Sequence, residues 1–385
     1  MQGADVIVVG GGIAGAGAAY EIASLWSVIL LERETRCGYH STGRSAASFT
    51  ENYGNSVVRR LAIASRPFLD SPPPGFCEHP LLTPQPVITI ARTDQLPLLQ
   101  QQLDQAKALV PSITRIEAAE ALSRVPILRA DYVAGAFIEP RSMELDVHGL
   151  HQGYLKGARV RGARVVVDAG VTAIEHRDGR WWVTTPAGIF AAPVIVNAAG
   201  AWADVVADMA GVRPVGLVPK RRTAFTVPLP AGLESHNWPM IDDVAEEFYF
   251  KPDAGRLFVS PADATPSAPL DAYPDDLDVA VGVERLERAT HLNVAHVSHS
   301  WAGLRTFARD ASPVVGLDGA APGFCWLAGQ GGYGIKTSPA LSRACAALVR
   351  GNPLPEDFAR LGIGADELSP QRLRETVPTA RTNSV

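Results

Sequence analysis

The chain has 385 residues, 46% of them apolar, enough for large cores without crosslinks. Its 35 basic and 40 acidic residues leave a net charge of −5 with no long basic run, which argues against a nucleic-acid partner. Four cysteines (Cys37, Cys77, Cys325, Cys345) show no C-x-x-C spacing, so neither a zinc site nor a disulfide scaffold is expected, and no metal.

No stretch approaches the ~20 apolar residues of a membrane span. The first strand starts at once and leaves no room for a signal peptide. A cytoplasmic location is the expectation, with peripheral contact with the inner membrane left open.

In chain order, Asp5–Val9 reads as a buried strand and Gly10-Gly11-Gly12-Ile13-Ala14-Gly15 as a glycine turn opening a helix. A second apolar run, Val28 to Leu31, ends in Glu32. This is the G-x-G-x-x-G dinucleotide fingerprint in its full setting. Gly10 permits the turn, Gly12 lets a pyrophosphate approach, and Gly15 lets the helix pack on the sheet. The helix N-terminus offers free N–H groups and partial positive charge to phosphates, and Glu32 an acceptor to a ribose diol. Gly38 to Ala47 is small and polar, suited to close backbone approach.

Ser56 to Asp70 reads as a helix interrupted by Pro67, and Val87 to Ile90 as a buried strand. Leu96 to Leu109 reads as a helix, and Thr114 to Arg124 as another, starting on capping-box spacing. A helix from Asp146 to about Arg161 precedes a strand over 164–167. Ile174 to Thr185 reads as a hairpin around Asp178-Gly179. Val194 to Trp202 repeats the strand-into-small-residues logic and could reach the same crevice. From Arg221 to Phe307 strands such as Phe248–Lys251 and Leu257–Ser260 are short, which reads as mostly antiparallel. Phe324–Ala328 is a strand, Gly329 to Gly334 a glycine turn, and Pro339 to Arg350 a helix. Pro378 to Val385 reads as a loose tail.

The expected fold is therefore α/β. A discontinuous Rossmann-like nucleotide domain over 1–50, 145–215 and 310–385 is interleaved with a substrate domain, mostly antiparallel β plus helices, over 51–144 and 216–309.

The combined blocks G-x-G-x-x-G, V-N-A-A-G-A-W and Q-G-G-Y-G-I resemble the flavin-dependent D-amino acid oxidase superfamily. Gly38-to-Ala47, Gly75-to-Leu82, Pro219-to-Arg222, Phe248-Tyr249, Trp301-to-Arg305 and Gln330-to-Ile335 look like the bacterial D-arginine dehydrogenase subgroup. The resemblance implies noncovalent FAD and oxidation of a D-amino acid by hydride transfer from Cα to the flavin, giving an imino acid that hydrolyses to a 2-keto acid and ammonia. It implies that Arg222 and Arg305 hold the substrate carboxylate, that Tyr53 and Tyr249 flank it, and that the Gly332 carbonyl accepts from the amine. No catalytic base is evident, and His40 has at least as good a claim to a structural role.

The expected cofactor contacts are Gly10, Gly12, Ile13, Ala14, Gly15, Glu32, Arg33, Ser41, Thr42, Arg44, Ser45, Ala46, Ala47, Val171, Ala199, Gly200, Trp202, Gly331, Gly332, Tyr333, Gly334, Ile335 and Lys336. Lys336 is read either as a cation beside the reduced flavin or as a solvated helix-start lysine; the D-arginine subgroup carries glutamine there.

Ser48, Val87, Met240, Asp242 and Ile335 are the expected substrate pocket. Val87 stands where the subgroup has a glutamate that grips guanidinium, and Ser48 where it has a histidine. A buried cation needs a paired anion, so a neutral or apolar substrate is expected. Asp242 and Asp243 could supply a replacement anion but are read rather as a solvated loop. The electron acceptor stays open among a quinone, an electron-transfer protein and O2. An oxidase acting on an N-substituted amino acid is the alternative, and a flavin-binding protein without turnover is the reading from another class. The absence of lysine in Leu257–Ser260 leans toward a dehydrogenase.

Overall fold

The structure, a computed structural model, describes residues 2–374; the tail expected over Pro378 to Val385 lies outside them. The chain opens with β1 (Val6–Val9), α1 (Ile13–Ile22) and β2 (Val28–Leu31). Then come α2 (Ser56–Asp70), β3 (Val87–Ala91), α3 (Leu96–Leu109), β4 (Thr114–Ile116), α4 (Ala118–Arg124) and β5 (Gly135–Glu139). Helix α5 (Val147–Val160) leads through β6 (Arg164–Val166) to the meander β7 (Ala173–Arg177), β8 (Arg180–Thr185) and β9 (Gly188–Ala192), then to β10 (Val194–Asn197). Strands β11 (Val218–Pro228), β12 (Met240–Asp243), β13 (Tyr249–Asp253) and β14 (Arg256–Ser260) precede α6 (Asp276–Ala289) and β15 (His299–Phe307). Near the end lie β16 (Val314–Leu317), β17 (Phe324–Ala328) and α7 (Gly334–Val349).

Two sheets carry the architecture. The first runs β6–β2–β1–β10–β17–β16, parallel except for β16. Its inner strands are continuous apolar runs because both faces are covered. One face packs on α1, α5, α7 and α2, the other under the β7–β8–β9 meander. The meander's first turn carries Asp178 and Gly179 at φ 51° and 69°, the left-handed pair that a two-residue hairpin requires.

The second sheet runs β15–β11–β14–β13–β12–β3–β5–β4, antiparallel except that β12 pairs β3 in parallel. Its side chains alternate. Ile88, Ile241, Phe250, Val259 and Phe225 point to a rear core closed by α6. Val87, Met240, Tyr249, Phe258 and Ala224 share the opposite, front face. Phe324–Ala328 is continued by the short strand Gln330–Gly331, which pairs with Thr306 and Phe307 at the end of β15. That pairing brings the first sheet's crevice against the second sheet's front face.

Three local expectations change. Thr114–Ile116 is not a capping box but an edge strand on β5, and the helix starts at Ala118. Its β-branched Thr114 and Ile116 gain ladder hydrogen bonds that a helix start could not supply. Helix α2 runs through Pro67 unbroken. The proline sits near its C-terminal end, where one missing N–H costs less than the packing of Leu61, Ala64 and Leu69 returns. Helix α7 begins at Gly334 rather than Pro339, which falls within it.

Trp326 lies fully buried in β17, edge-on to Phe324, with its indole N–H on Asp318 at 3.0 Å. Trp326→Ala should lower stability by about 3–5 kcal/mol, read as a reduced denaturant midpoint by near-UV circular dichroism; a midpoint within error of the parent refutes this.

Candidate active site

The parallel strands β1, β10 and β17 end on one side of their sheet and open a cavity of ≈ 680 Å³. Its wall includes Gly10, Gly12, Ile13, Ala14, Glu32, Arg33, Ser41, Thr42, Arg44, Ser45, Ala46, Val171, Ala199, Gly200 and Trp202. It continues to Arg222, Tyr249, Arg305, Gly331, Gly332, Gly334 and Ile335. Gly10 has φ 104°, and a Cβ there would lie 2.5 Å from the Ala198 carbonyl, so β1 and β10 meet this closely only because the residue is glycine. Glu32 is buried on the wall, its carboxylate fixed by the N–H groups of Gly11 (2.7 Å) and Glu34 (2.9 Å). Carboxylate oxygens accept more than one bond each, so capacity for a ribose diol remains.

The N–H of Ile13, expected to be free for a phosphate, donates to the Thr42 hydroxyl at 3.0 Å. This leaves the Thr42 hydroxyl proton as the donor at that position. Ser41 donates to the Leu304 carbonyl, and Arg44 to Asp271 and to the carbonyls of Ala272 and Ala302. These two residues therefore fasten the 38–47 segment to β15 and to the 271–272 loop. His40 lies 2.9 Å from Glu34, 3.8 Å from Asp271 and tilted against Trp202, a structural setting. Arg33 lies over the Trp202 ring at 4.8 Å.

At the second sheet, Arg305 donates to the phenols of Tyr53 (3.3 Å) and Tyr249 (3.2 Å). Arg222 donates to the Asp263 carbonyl at 2.6 Å, with its guanidinium 6.0 Å from the centre of the Tyr249 ring. Among the described residues neither guanidinium forms an ion pair; the Asp263 carboxylate, which feels Arg222, is held by the Thr223 N–H and hydroxyl. Burial pushes the Tyr249 phenol up, but the two guanidiniums outweigh it and hold the phenol below its ordinary value. Gly332 packs so tightly on Arg305 that a Cβ would meet Nη1 at 2.9 Å.

Val87 and Met240 are register partners at the junction of β3 and β12 and are buried with Ala224, Tyr249 and Phe258. Asp242 and Asp243 are in β12, not in a solvated loop. Asp243 faces inward, 1% exposed, and accepts the Ala245 N–H at 2.9 Å. Asp242 shares the front face, in register with Tyr249 and Thr89, and is partly buried. Among the described residues no hydrogen bond or ion pair engages its carboxyl. Burial first, then Glu246 and Asp243, push its carboxyl up to about 8 against the pull of Arg222 and Arg305.

Gly15, Ala47, Ser48, Tyr53, Val87, Met240, Asp242, Tyr333 and Lys336 do not line the cavity itself. Ser48 pairs with Glu144 in a small separate sheet. Lys336 is not a solvated helix-start lysine: it is buried, and its side-chain nitrogen donates to the carbonyls of Thr50 and Tyr53 at 2.7 Å each. Ala224 and Phe258 do line the cavity and were not anticipated. The period-two alternation of β11 and β14, extended from Arg222, would have found both.

A family model described as "FAD dependent oxidoreductase" matches residues 5–348. The chain is 26% identical over 362 residues to mitochondrial dimethylglycine dehydrogenase of Rattus norvegicus, covering 86% of this chain but 41% of that protein. It is 30% identical over 233 residues to D-amino acid dehydrogenase 3 of Mesorhizobium japonicum, covering 59% of this chain and 55% of that one. The solved structure of L-proline dehydrogenase from P. horikoshii superimposes with a TM-score of 0.82 at 20% identity, covering 97% and 98% of the two chains. No helix among the described residues is long and apolar enough to cross a membrane.

Glu32→Ala should weaken retention of FAD on the order of ten- to a hundredfold, because a charge-assisted acceptor is lost. Apoprotein titrated with FAD checks this, and equal affinity of parent and variant would remove Glu32 from the site. Acid precipitation should release all flavin to the supernatant; flavin left on the pellet rules out noncovalent binding.

Proposed function

This chain belongs to the FAD-dependent oxidoreductase family, and we propose that it oxidises an amino acid of neutral side chain, a D-amino acid in the first instance, at Cα. The products are an imino acid and, after hydrolysis, a 2-keto acid and ammonia. The observation that carries the reading is the pair Arg222 and Arg305 on the cavity wall, neither of them in an ion pair among the described residues. Cations drawn out of water in this way need an anion, and a substrate carboxylate supplies one in bidentate geometry.

FAD when bound supplies the two-electron acceptor. The protein's own residues do the rest by placement. The guanidiniums fix the carboxylate, and the tyrosine phenols hold Arg305 in its plane. Ala224 and Phe258, backed by Val87 and Met240 in the same cluster, offer apolar contact to the side chain. Asp242 holds its proton below about pH 8 and presents a neutral acid, not a fixed anion.

Similarity to D-amino acid dehydrogenase 3 supports a D-amino acid and a dehydrogenase. A second reading, an N-substituted amino acid, is favoured by the similarity to dimethylglycine dehydrogenase. Anaerobic bleaching of the flavin by D-, L- and N-methyl amino acids separates the two; bleaching by none of them sinks both.

Arg305→Met should lower kcat/KM on the order of 10²–10³-fold, and Arg222→Met less. Steady-state kinetics of both variants decides it, and parent-like turnover in the two would dismantle the clamp. Asp242 is neutral below about pH 8 and anionic above it. The ratio of kcat/KM for D-lysine over D-leucine should therefore rise through that range. The ε-ammonium of D-lysine lowers its α-amine pKa relative to that of D-leucine, so dividing the profiles leaves a small residual slope that parent and Asp242→Asn share. Asp242→Asn should flatten the ratio to that residual, and a slope that survives the substitution undiminished assigns it elsewhere.

A further inference from the structure

We propose that Lys336 is a positioning residue that sets the Tyr53 phenol against Arg305. The proposal rests on the carboxylate-clamp reading above. Lys336 is the third residue of α7, just beyond Gly334 on the cavity wall, and is 3% exposed. Two of its three donors grip one short segment, through the carbonyls of Thr50 and Tyr53 at 2.7 Å each.

Glu139, 4% exposed at the end of β5, grips the same segment, accepting from the Thr50 hydroxyl at 2.6 Å and the Glu51 N–H at 2.9 Å. The segment is thus held between a buried amine, whose pKa burial pushes down to about 7, and a buried carboxyl, whose pKa burial pushes up, and the phenol it carries is one of the two that Arg305 donates to. Lys336 also lies 5.3 Å and 5.9 Å from the Tyr53 and Tyr333 ring centres. Charged groups facing it are Glu139 on β5, Glu51 in the segment and Arg59 on α2. A surface lysine would not justify its own desolvation; this one is placed where its donors fix backbone.

The test uses the FAD-loaded protein and benzoate as a simple carboxylate, with its Kd read from the flavin difference spectrum, together with kcat and KM for the best amino acid. Lys336→Met should raise Kd and KM about tenfold while kcat changes less than threefold. Lys336→Gln, whose amide can donate to both carbonyls, should restore Kd to within threefold. On a Tyr53→Phe background, Lys336→Met should add nothing further, because the effect runs through the phenol. A parent-like Kd in Lys336→Met, no rescue by Gln, or full additivity with Tyr53→Phe overturns the proposal.

Should Lys336→Met not accumulate with FAD, Thr50→Val is read instead. It removes the hydroxyl that donates to Glu139 and accepts the Asn52 N–H, loosening the same segment, and should raise Kd in the same sense; an unchanged Kd there counts equally against the idea. Arg305→Met serves as the control. If it leaves benzoate binding intact, the clamp itself fails; if it abolishes binding while Lys336→Met does not, only the positioning role falls.

Discussion

The short pairing of Gln330–Gly331 with Thr306 and Phe307 is what makes one site out of two sheets. The chain leaves β17 at the nucleotide crevice and is at once hydrogen-bonded to the end of β15. Arg305 is the next residue along that strand, so covalent connectivity and two ladder positions place a guanidinium beside the glycine turn. Gly332 completes the constraint: any larger residue would push Arg305 away. The cofactor crevice and the anion-binding groups are therefore held at a separation that loop motion does not set.

The electrostatics follow from that constraint. Two guanidiniums face a shared volume, and the nearest polar groups are phenols and a backbone carbonyl, which orient charge without cancelling it. Asp242, on the same face, responds to its burial by keeping its proton near neutrality. The positive character of this wall is what suits it to the carboxylate of the proposed substrate. The neighbouring buried carboxyl, Asp243, has a different duty, capping the turn that follows β12.

Much of this was legible in the sequence where one short-range rule governs. The β1–α1–β2 unit, the Asp178-Gly179 hairpin and helix α3 follow from glycine spacing, turn chemistry and periodicity alone. Arg222, Arg305, Tyr53 and Tyr249, which the structure brings together, were singled out by family resemblance and not by any local pattern. What stayed hidden depends on partners distant in the chain. Thr114–Ile116 is a strand only because β5 offers an edge. The Asp242-Asp243 pair looks like loop chemistry until β3 pairs with β12. Lys336 can be buried only because Glu139 and the carbonyls of a segment nearly 300 positions earlier meet it there.

The strict alternation along β3, β12, β13 and β14 has a consequence for how such an enzyme can change over time. Front and rear positions belong to separate ledgers of selection. Ile88, Ile241, Phe250 and Val259 answer to the rear core, while Tyr249 and Phe258 answer to whatever enters the cavity, with Val87, Met240 and Asp242 beside them on the same face. A substitution at every second residue can retune what is recognised and leave the packing that holds the sheet untouched. The scaffold is in that sense evolvable: its substrate range can drift through single steps, none of which has to pass through an unfolded intermediate.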